Sequence, residues 1–168
     1  GKSTIAETIK RDLLEHHNIQ TQVLALDNFI ISLDKRPTDS TVRSRYDYRK
    51  INETIEKVCN GDSVQLPYYD SRTRTTKQDG NLFSPISQGV ILVEGVVALD
   101  AIEETQQVDI KVYVTTDEVA RKQRLREFYT IHKLLPAPEV DDLIRERYRD
   151  EFPIVHNSIQ NADLLIRN

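Results

Sequence analysis

Apolar residues recur along this chain in two rhythms. Ile5, Ala6, Ile9, Leu13 and Leu14 return at three- and four-residue steps, which predicts an amphipathic helix over about 3–17. Val23-Leu24-Ala25-Leu26 is a continuous apolar run that reads as a buried strand ending at Asp27. Ile51, Ile55 and Val58 mark a second helix, stopped by Asn60-Gly61 in a position suited to a left-handed cap. Between these elements, residues 34–47 are polar, carry Pro37 and read as loop. A brief strand at Val64–Leu66 precedes Pro67, and 70–81 reads as a turn-rich loop. Val90-Ile91-Leu92-Val93 is the clearest strand, ending at Glu94-Gly95, and another covers about 110–115. Helices over about 117–132 and 139–151 follow, split by Pro136 and Pro138, and Leu164-Leu165-Ile166 closes the chain as a strand.

Strands that are apolar throughout and alternate with helices predict an α/β fold, a three-layer sandwich whose parallel sheet is covered on both faces. Chemistry in such sheets gathers at the carboxyl ends of the strands, where Asp27 and Glu94 stand.

Composition narrows the class. At 168 residues the chain suits one domain, and 38% hydrophobic with 30% charged residues describes an ordinary soluble globular protein. Lys and Arg number 23 against 27 Asp and Glu, and the net charge of −4 argues against a nucleic-acid partner bound through a broadly basic face. Yet the windows 34–50, 70–79 and 121–133 hold 14 of the 23 basic residues and only 6 of the 27 acidic ones. These windows form either three solvated surfaces or, if they converge, a compact anion site. No apolar run nears the roughly 18 residues of a membrane span, so no membrane partner is expected. The single cysteine, Cys59, has no internal disulfide partner and points to a reducing, cytoplasmic setting; its position on a helix predicts a buried structural thiol. His16 and His17 fall at a helix end and complement its dipole, and His156 is expected to pack beside Tyr148 and Phe152.

The opening Gly1-Lys2-Ser3-Thr4, running straight into a helix, matches the second half of the phosphate-loop pattern G-x-x-x-x-G-K-[ST]. In that reading backbone N–H groups and the helix N-terminus face a phosphate, Lys2 reaches its outer oxygens, and the Ser3 hydroxyl ligates Mg²⁺. The other reading is a helix start with a serine cap. The first glycine, its spacer and the strand that should feed the loop are absent, as is any methionine, so a segment upstream is expected. Asp27 is the candidate base for phosphoryl transfer to a hydroxyl, and Glu94 a candidate metal ligand. Each could instead be a strand-end carboxylate capping the next turn. Arg121, Lys122, Arg124 and Arg126 could close over phosphates, or pair with Glu118 and Glu127 on an exposed face.

Taken together, these residues resemble the uridine kinase and phosphoribulokinase-like group of P-loop kinases over nearly the whole chain. The pieces are Gly1-Lys2-Ser3-Thr4, Asp27-Asn28-Phe29, Tyr46-Asp47, Leu66-Pro67-Tyr68-Tyr69-Asp70, Val93-Glu94-Gly95, Val114-Thr115-Thr116-Asp117 with Arg121 and Arg124, and Asn161-Ala162-Asp163-Leu164-Leu165-Ile166. The resemblance implies a P-loop NTPase-type fold with a five-stranded parallel core whose central first strand precedes the phosphate loop. It implies one kinase domain over 1–168, truncated at its N-terminus, with a lid at about 121–138. It also implies ATP and Mg²⁺ as cofactors, and as partner a small-molecule hydroxyl acceptor such as a nucleoside or other sugar-like metabolite; a homo-oligomer is compatible with it. Asp27 and Lys2 would then be catalytic. Gly1, Lys2, Ser3, Thr4, Arg121 and Arg124 would bind the nucleotide, Ser3 and Glu94 the metal, and Tyr46, Asp47, Tyr69 and Arg72 the acceptor.

The departures fall on the acceptor side and the lid. Phe29-Ile30 replaces the Phe-Tyr of uridine kinases, and Ser71-Arg72-Thr73-Arg74 lacks their base-recognising histidine. Tyr129-Thr130-Ile131-His132-Lys133 replaces an Arg-Gly-Arg lid element. Arg72 and Arg74 would suit an acidic or phosphorylated acceptor. The rival readings are a nucleotide-binding module without catalysis and a P-loop NTPase without a small-molecule acceptor.

Overall fold

The computed structural model describes residues 1–38, 41–102 and 108–168; Asp39 and Ser40 of the expected 34–47 loop lie outside the described residues. The chain divides into two compact units, Gly1–Asp109 and Ile110–Asn168.

The first unit opens with α1 (Lys2–His17), whose C-terminus is closed by Asn18 in the left-handed region at φ 53°. The Asn18 and Ile19 N–H groups donate to the Leu14 and Leu13 carbonyls, satisfying the last turn, and His16 and His17 sit in that turn where positive charge is favoured. β1 (Thr21–Ala25) follows, and then a single 3₁₀ turn, Leu26–Phe29, so that Asp27 stands just past the strand rather than on it. The Asp47 carboxylate caps α2 (Tyr48–Cys59) by accepting the Lys50 N–H, and the helix buries Ile51, Thr54, Ile55 and Val58. Gly61, at φ 85°, supplies the expected left-handed exit. Cys59 corrects the expectation of a buried thiol: it is exposed, because it lies one residue, about 100° of rotation, beyond the buried stripe that ends at Val58.

β2 (Val64–Gln65), β3 (Tyr68–Asp70), β4 (Thr75–Lys77) and β5 (Leu82–Phe83) form two antiparallel pairs, β2 with β5 and β3 with β4. The β3–β4 hairpin occupies part of the stretch expected to be loop. Its register is set by long-range bonds rather than by an apolar pattern: the Thr76 N–H donates to the Ser32 Oγ at 2.7 Å and the Leu33 N–H to the Arg74 carbonyl at 2.9 Å. β6 (Val90–Glu94) lies parallel to β1, pairing Thr21 with Val90 through Ala25 with Glu94, and leads into the short α3 (Ala98–Ala101). Leu24, Leu26, Phe29, Val42, Ile51, Ile55 and Val97 are buried to within 2% exposure and form the core beneath this pair. Each such side chain contributes about 1.5–3 kcal/mol by leaving water, before the entropy of ordering is subtracted.

In the second unit β7 (Val112–Thr115) and β8 (Leu164–Arg167) pair in parallel, Val112 with Leu164 through Thr115 with Arg167. Asp117 caps α4 (Glu118–Glu127), which widens into a π turn at Phe128–His132. α5 (Ala137–Asn157) begins behind Pro136 and runs through Pro153, six residues past the expected end at 151. Tyr148, Phe152 and His156 stack along one face at 5.5 and 5.4 Å, and this ring ladder carries the helix past the proline's missing hydrogen bond. Tyr129, Val140 and Ile144 are its buried core. The parallel strands expected from the sequence are therefore present in both units. Among the described residues no helix is long and apolar enough to cross a membrane.

Candidate phosphate and acceptor site

The first unit brings three chain segments to the carboxyl ends of β1 and β6. The parallel register sets Ala25 beside Glu94, and Asp27 follows two residues later, so both candidate carboxylates emerge at the same end of the strand pair. Gly95 allows the approach: a Cβ there would lie 2.8 Å from the Leu26 Cβ, and Leu26 is fully buried next to Asp27. The start of α1 reaches the same end. The Ser3 Oγ donates to the Glu94 Oε1 at 3.0 Å across 91 residues of sequence, which places the first turn of the helix against the end of β6. Gly1 is the helix cap, its carbonyl accepting the Ile5 N–H at 2.9 Å. Lys2, Ser3 and Thr4 are exposed in that first turn, where N–H groups without partners inside the helix give the end its positive character. The Thr4 carbonyl accepts the Thr8 hydroxyl.

A second layer surrounds Asp27. The Tyr46 OH, on a ring only 7% exposed, donates to the Asp27 Oδ1 at 3.1 Å. Backbone pairing holds Tyr46 there, since Ile30 and Tyr46 form an antiparallel bridge, the Asp47 N–H donates to the Phe29 carbonyl at 3.0 Å, and the Ile31 N–H to the Arg45 carbonyl at 2.8 Å. Asp27 itself is exposed. β3 packs on the 26–29 turn and so brings Tyr69 to the same neighbourhood. The Tyr69 OH accepts from the Arg36 Nη2 at 3.2 Å, and the guanidinium lies 5.9 Å from the ring centre. The Asp47 Oδ1 accepts the Lys50 N–H at 3.0 Å and so caps α2. Arg72 is exposed on the hairpin turn; its N–H donates to the Asp70 Oδ1 at 2.8 Å, and that bond foremost holds the Asp70 carboxyl below its usual range.

Arg121 and Arg124 belong to the second unit. The Arg121 guanidinium donates to the Tyr148 OH at 3.0 and 2.8 Å and lies 4.8 and 4.3 Å from the Tyr148 and Phe152 ring centres, whereas Arg124 is exposed on α4. Lys122 and Arg126 form exposed ion pairs with Glu118 and Asp141, each at 2.6 Å.

Sequence reasoning missed two groups. Arg36 fell in a basic window but carried no spacing that linked it to Tyr69. Asp100 had no signal at all, although its side chain is only 9% exposed and accepts two bonds from the Arg43 guanidinium and one from the Tyr48 OH at 2.6 Å. Burial raises the Asp100 carboxyl, but the bonds from Arg43 and Tyr48 and the Arg43 charge outweigh it and hold the group below the usual carboxylate range. Burial and then Asp100 push the Tyr48 hydroxyl well above its ordinary value. This cluster ties the turn before Tyr46 to α3, directly after Glu94 and Gly95.

The donor set at the strand ends is a hydroxyl and a carboxylate, both hard oxygens of the kind Mg²⁺ prefers. Among the described residues no three His, Cys, Asp or Glu side chains cluster. Two protein oxygens with the remaining positions left to water and phosphate is how this cation is usually held beside a nucleotide, so the residues present fit it.

No family model matches the chain. It is 28% identical over 127 residues to a uridine kinase of Halobacterium salinarum, covering 72% of this chain and 54% of that protein. The chain thus spans about half the length of the curated relatives it matches. Among solved structures it is similar to a candidate fructose transport system kinase of Silicibacter sp. TM1040, with a TM-score of 0.71 at 15% identity over 98% of this chain and 83% of that one. It is also similar to a structure named as a possible uridine kinase from Bacillus stearothermophilus, with a TM-score of 0.63 at 19% identity over 99% and 82%. The chain therefore has the fold of the P-loop kinases and is uridine kinase-like in sequence.

Proposed function

We propose that this chain carries the transfer site of an ATP-dependent small-molecule kinase, which moves the γ-phosphate of ATP to a hydroxyl of a nucleoside or other small sugar-like metabolite. The observation that carries this reading is the Ser3–Glu94 bond, which sets a phosphate-loop hydroxyl and a strand-end carboxylate beside the turn bearing Asp27. Lys2 and the N–H groups at the start of α1 bind the outer phosphates, with Gly1 and Thr4 shaping that turn. Ser3 and Glu94 would hold Mg²⁺, which when bound would supply neutralisation of phosphate charge during transfer. Asp27, oriented by the Tyr46 hydroxyl, accepts the proton of the acceptor hydroxyl. The acceptor oxygen bonds to the γ-phosphorus, the bond to the β–γ bridging oxygen breaks, and ADP leaves. Tyr46, Asp47, Tyr69 and Arg72 line the acceptor side. The region 121–138 is read as the lid of such a kinase, with Arg121 and Arg124 as its nucleotide-binding residues. The single cysteine fits a reducing, cytoplasmic setting.

The test is ATP consumption by the full natural polypeptide carrying these residues, with and without a panel of hydroxyl acceptors. Acceptor-dependent consumption with a phosphorylated product is expected. Consumption indifferent to every acceptor would make this an NTPase, and none at all a binding module.

A further inference from the structure

Arg36, whose guanidinium meets the Tyr69 hydroxyl on the proposed acceptor side, has no role in the transfer just described. Arg36 is half-buried, and its guanidinium is held by two neutral acceptors, the Ile31 carbonyl at Nε (2.7 Å) and the Tyr69 OH at Nη2 (3.2 Å). Among the described residues no carboxylate pairs with it, whereas Arg43, Arg49, Arg126, Arg145 and Arg147 all have acidic partners. Two neutral bonds orient the planar fork without cancelling its charge, and a partly desolvated charge without a counter-ion attracts an anion more strongly than an exposed one. The adjoining turn adds two more cations. Asp70 closes the turn through the Arg72 N–H, Arg74 adopts a left-handed conformation at φ 57°, and the Arg74 carbonyl receives the Leu33 N–H, three residues before Arg36. Both arginines are exposed.

We propose that Arg36, with Arg72 and Arg74 at its rim, forms an anion subsite beside Tyr69, so that the metabolite phosphorylated here bears a carboxylate or phosphate in addition to the reacting hydroxyl. This rests on the kinase reading for its context, since it names the acceptor class of that same site. Carboxylate and phosphate monoester share the chemistry that a guanidinium fork recognises, and the experiment separates them.

Binding is measured first, by calorimetry without ATP, on the full natural polypeptide and its Arg36→Ala and Arg36→Lys variants. The probes are glycerate for the carboxylate, ribose 5-phosphate for the phosphate, and ribose as the neutral control. One of the two anions is expected to bind detectably tighter than ribose. Arg36→Ala should weaken it about 10–100-fold, the weight of a charge-assisted hydrogen bond, and Arg36→Lys should weaken it less, since it keeps the charge and loses the fork. If Arg36→Ala does not fold, the graded loss in Arg36→Lys alone supports the subsite, and undiminished binding in that variant overturns it. Ribose bound as tightly as both anions, or anion binding equal in all three proteins, also overturns it. Turnover is measured second, with the same probes and ATP. Phosphorylation of neutral acceptors alone would overturn the subsite and leave the kinase standing. Arg36-dependent anion binding without any turnover would leave the subsite standing and remove the kinase reading.

Discussion

Removing the Asp100 carboxylate tests whether the Arg43–Asp100–Tyr48 cluster holds the acceptor-side turn to the strand end. Asp100→Ala deletes three hydrogen bonds, and their costs differ because the partners differ in exposure. Arg43 is 61% exposed on its side chain, so it regains water and its loss falls near the value of a surface pair, below about 1 kcal/mol. Tyr48 is half-buried, and its hydroxyl loses a 2.6 Å bond to a charged acceptor, which costs about 1.5–3 kcal/mol. The total is about 2–4 kcal/mol, a large share of the stability of a typical domain. With a urea slope of about 2 kcal/mol per molar, the unfolding midpoint falls by roughly 1–2 M. Asp100→Asn keeps one oxygen to accept from Tyr48 but loses the charge and the second acceptor that Arg43 uses, so its shift should be smaller than that of Asp100→Ala without vanishing. The pH dependence has a definite sign. Asp100 is held below its ordinary value of 3.8 in the folded chain, so its stabilisation is present above that value and fades as pH falls through the lower folded one. Urea melts of wild type and Asp100→Ala at pH 7 and at successively lower pH should therefore converge in acid. Midpoints that differ by less than about 0.3 M at pH 7, or a difference that does not narrow as pH falls below 3.8, would refute the reasoning.

Asp27→Asn should lower kcat by about 10²–10⁴-fold, the usual weight of a general base, while ATP affinity measured by equilibrium binding stays within about twofold. Near-normal turnover removes Asp27 from its role. Ser3→Ala and Glu94→Gln should each raise the Mg²⁺ concentration required for half-maximal turnover, with acceptor KM little changed; an unaltered Mg²⁺ dependence in both would separate the Ser3–Glu94 pair from the metal. Gly95→Ala forces a methyl to within 2.8 Å of the buried Leu26 Cβ and should cost about 1–3 kcal/mol in a chemical melt. A stability equal to wild type would show that the turn carrying Asp27 yields easily.

The local elements were legible because their causes are local. The three- and four-residue spacing of Ile5, Ala6, Ile9 and Leu13 predicts α1 whatever it packs on, and Gly61 ends α2 through its own backbone freedom. The apolar runs at 23–26 and 90–93 mark the parallel strands β1 and β6, and both carboxylates at their ends were found that way. What went unseen depended on partners distant in sequence. The β3–β4 hairpin lies in a stretch of threonines and turn residues with no apolar alternation, and it is fastened by Ser32 and Leu33, more than 40 residues away. α5 passes Pro153 because rings at Tyr148, Phe152 and His156 stack, an energy that residue propensities do not contain.

By itself, then, the sequence determined the helices at 2–17 and 48–59, the strands at 21–25 and 90–94, and the carboxylates that stand at those strand ends, because hydrophobic period and capping act over a few residues. Only the tertiary structure decided that Ser3 meets Glu94, that the Tyr46 hydroxyl meets Asp27, and that Arg36 stands against Tyr69. Those pairings arise when parallel β1 and β6 bring remote segments to one end of the sheet. Hydrogen bonds between such segments form only after the core beneath them has closed.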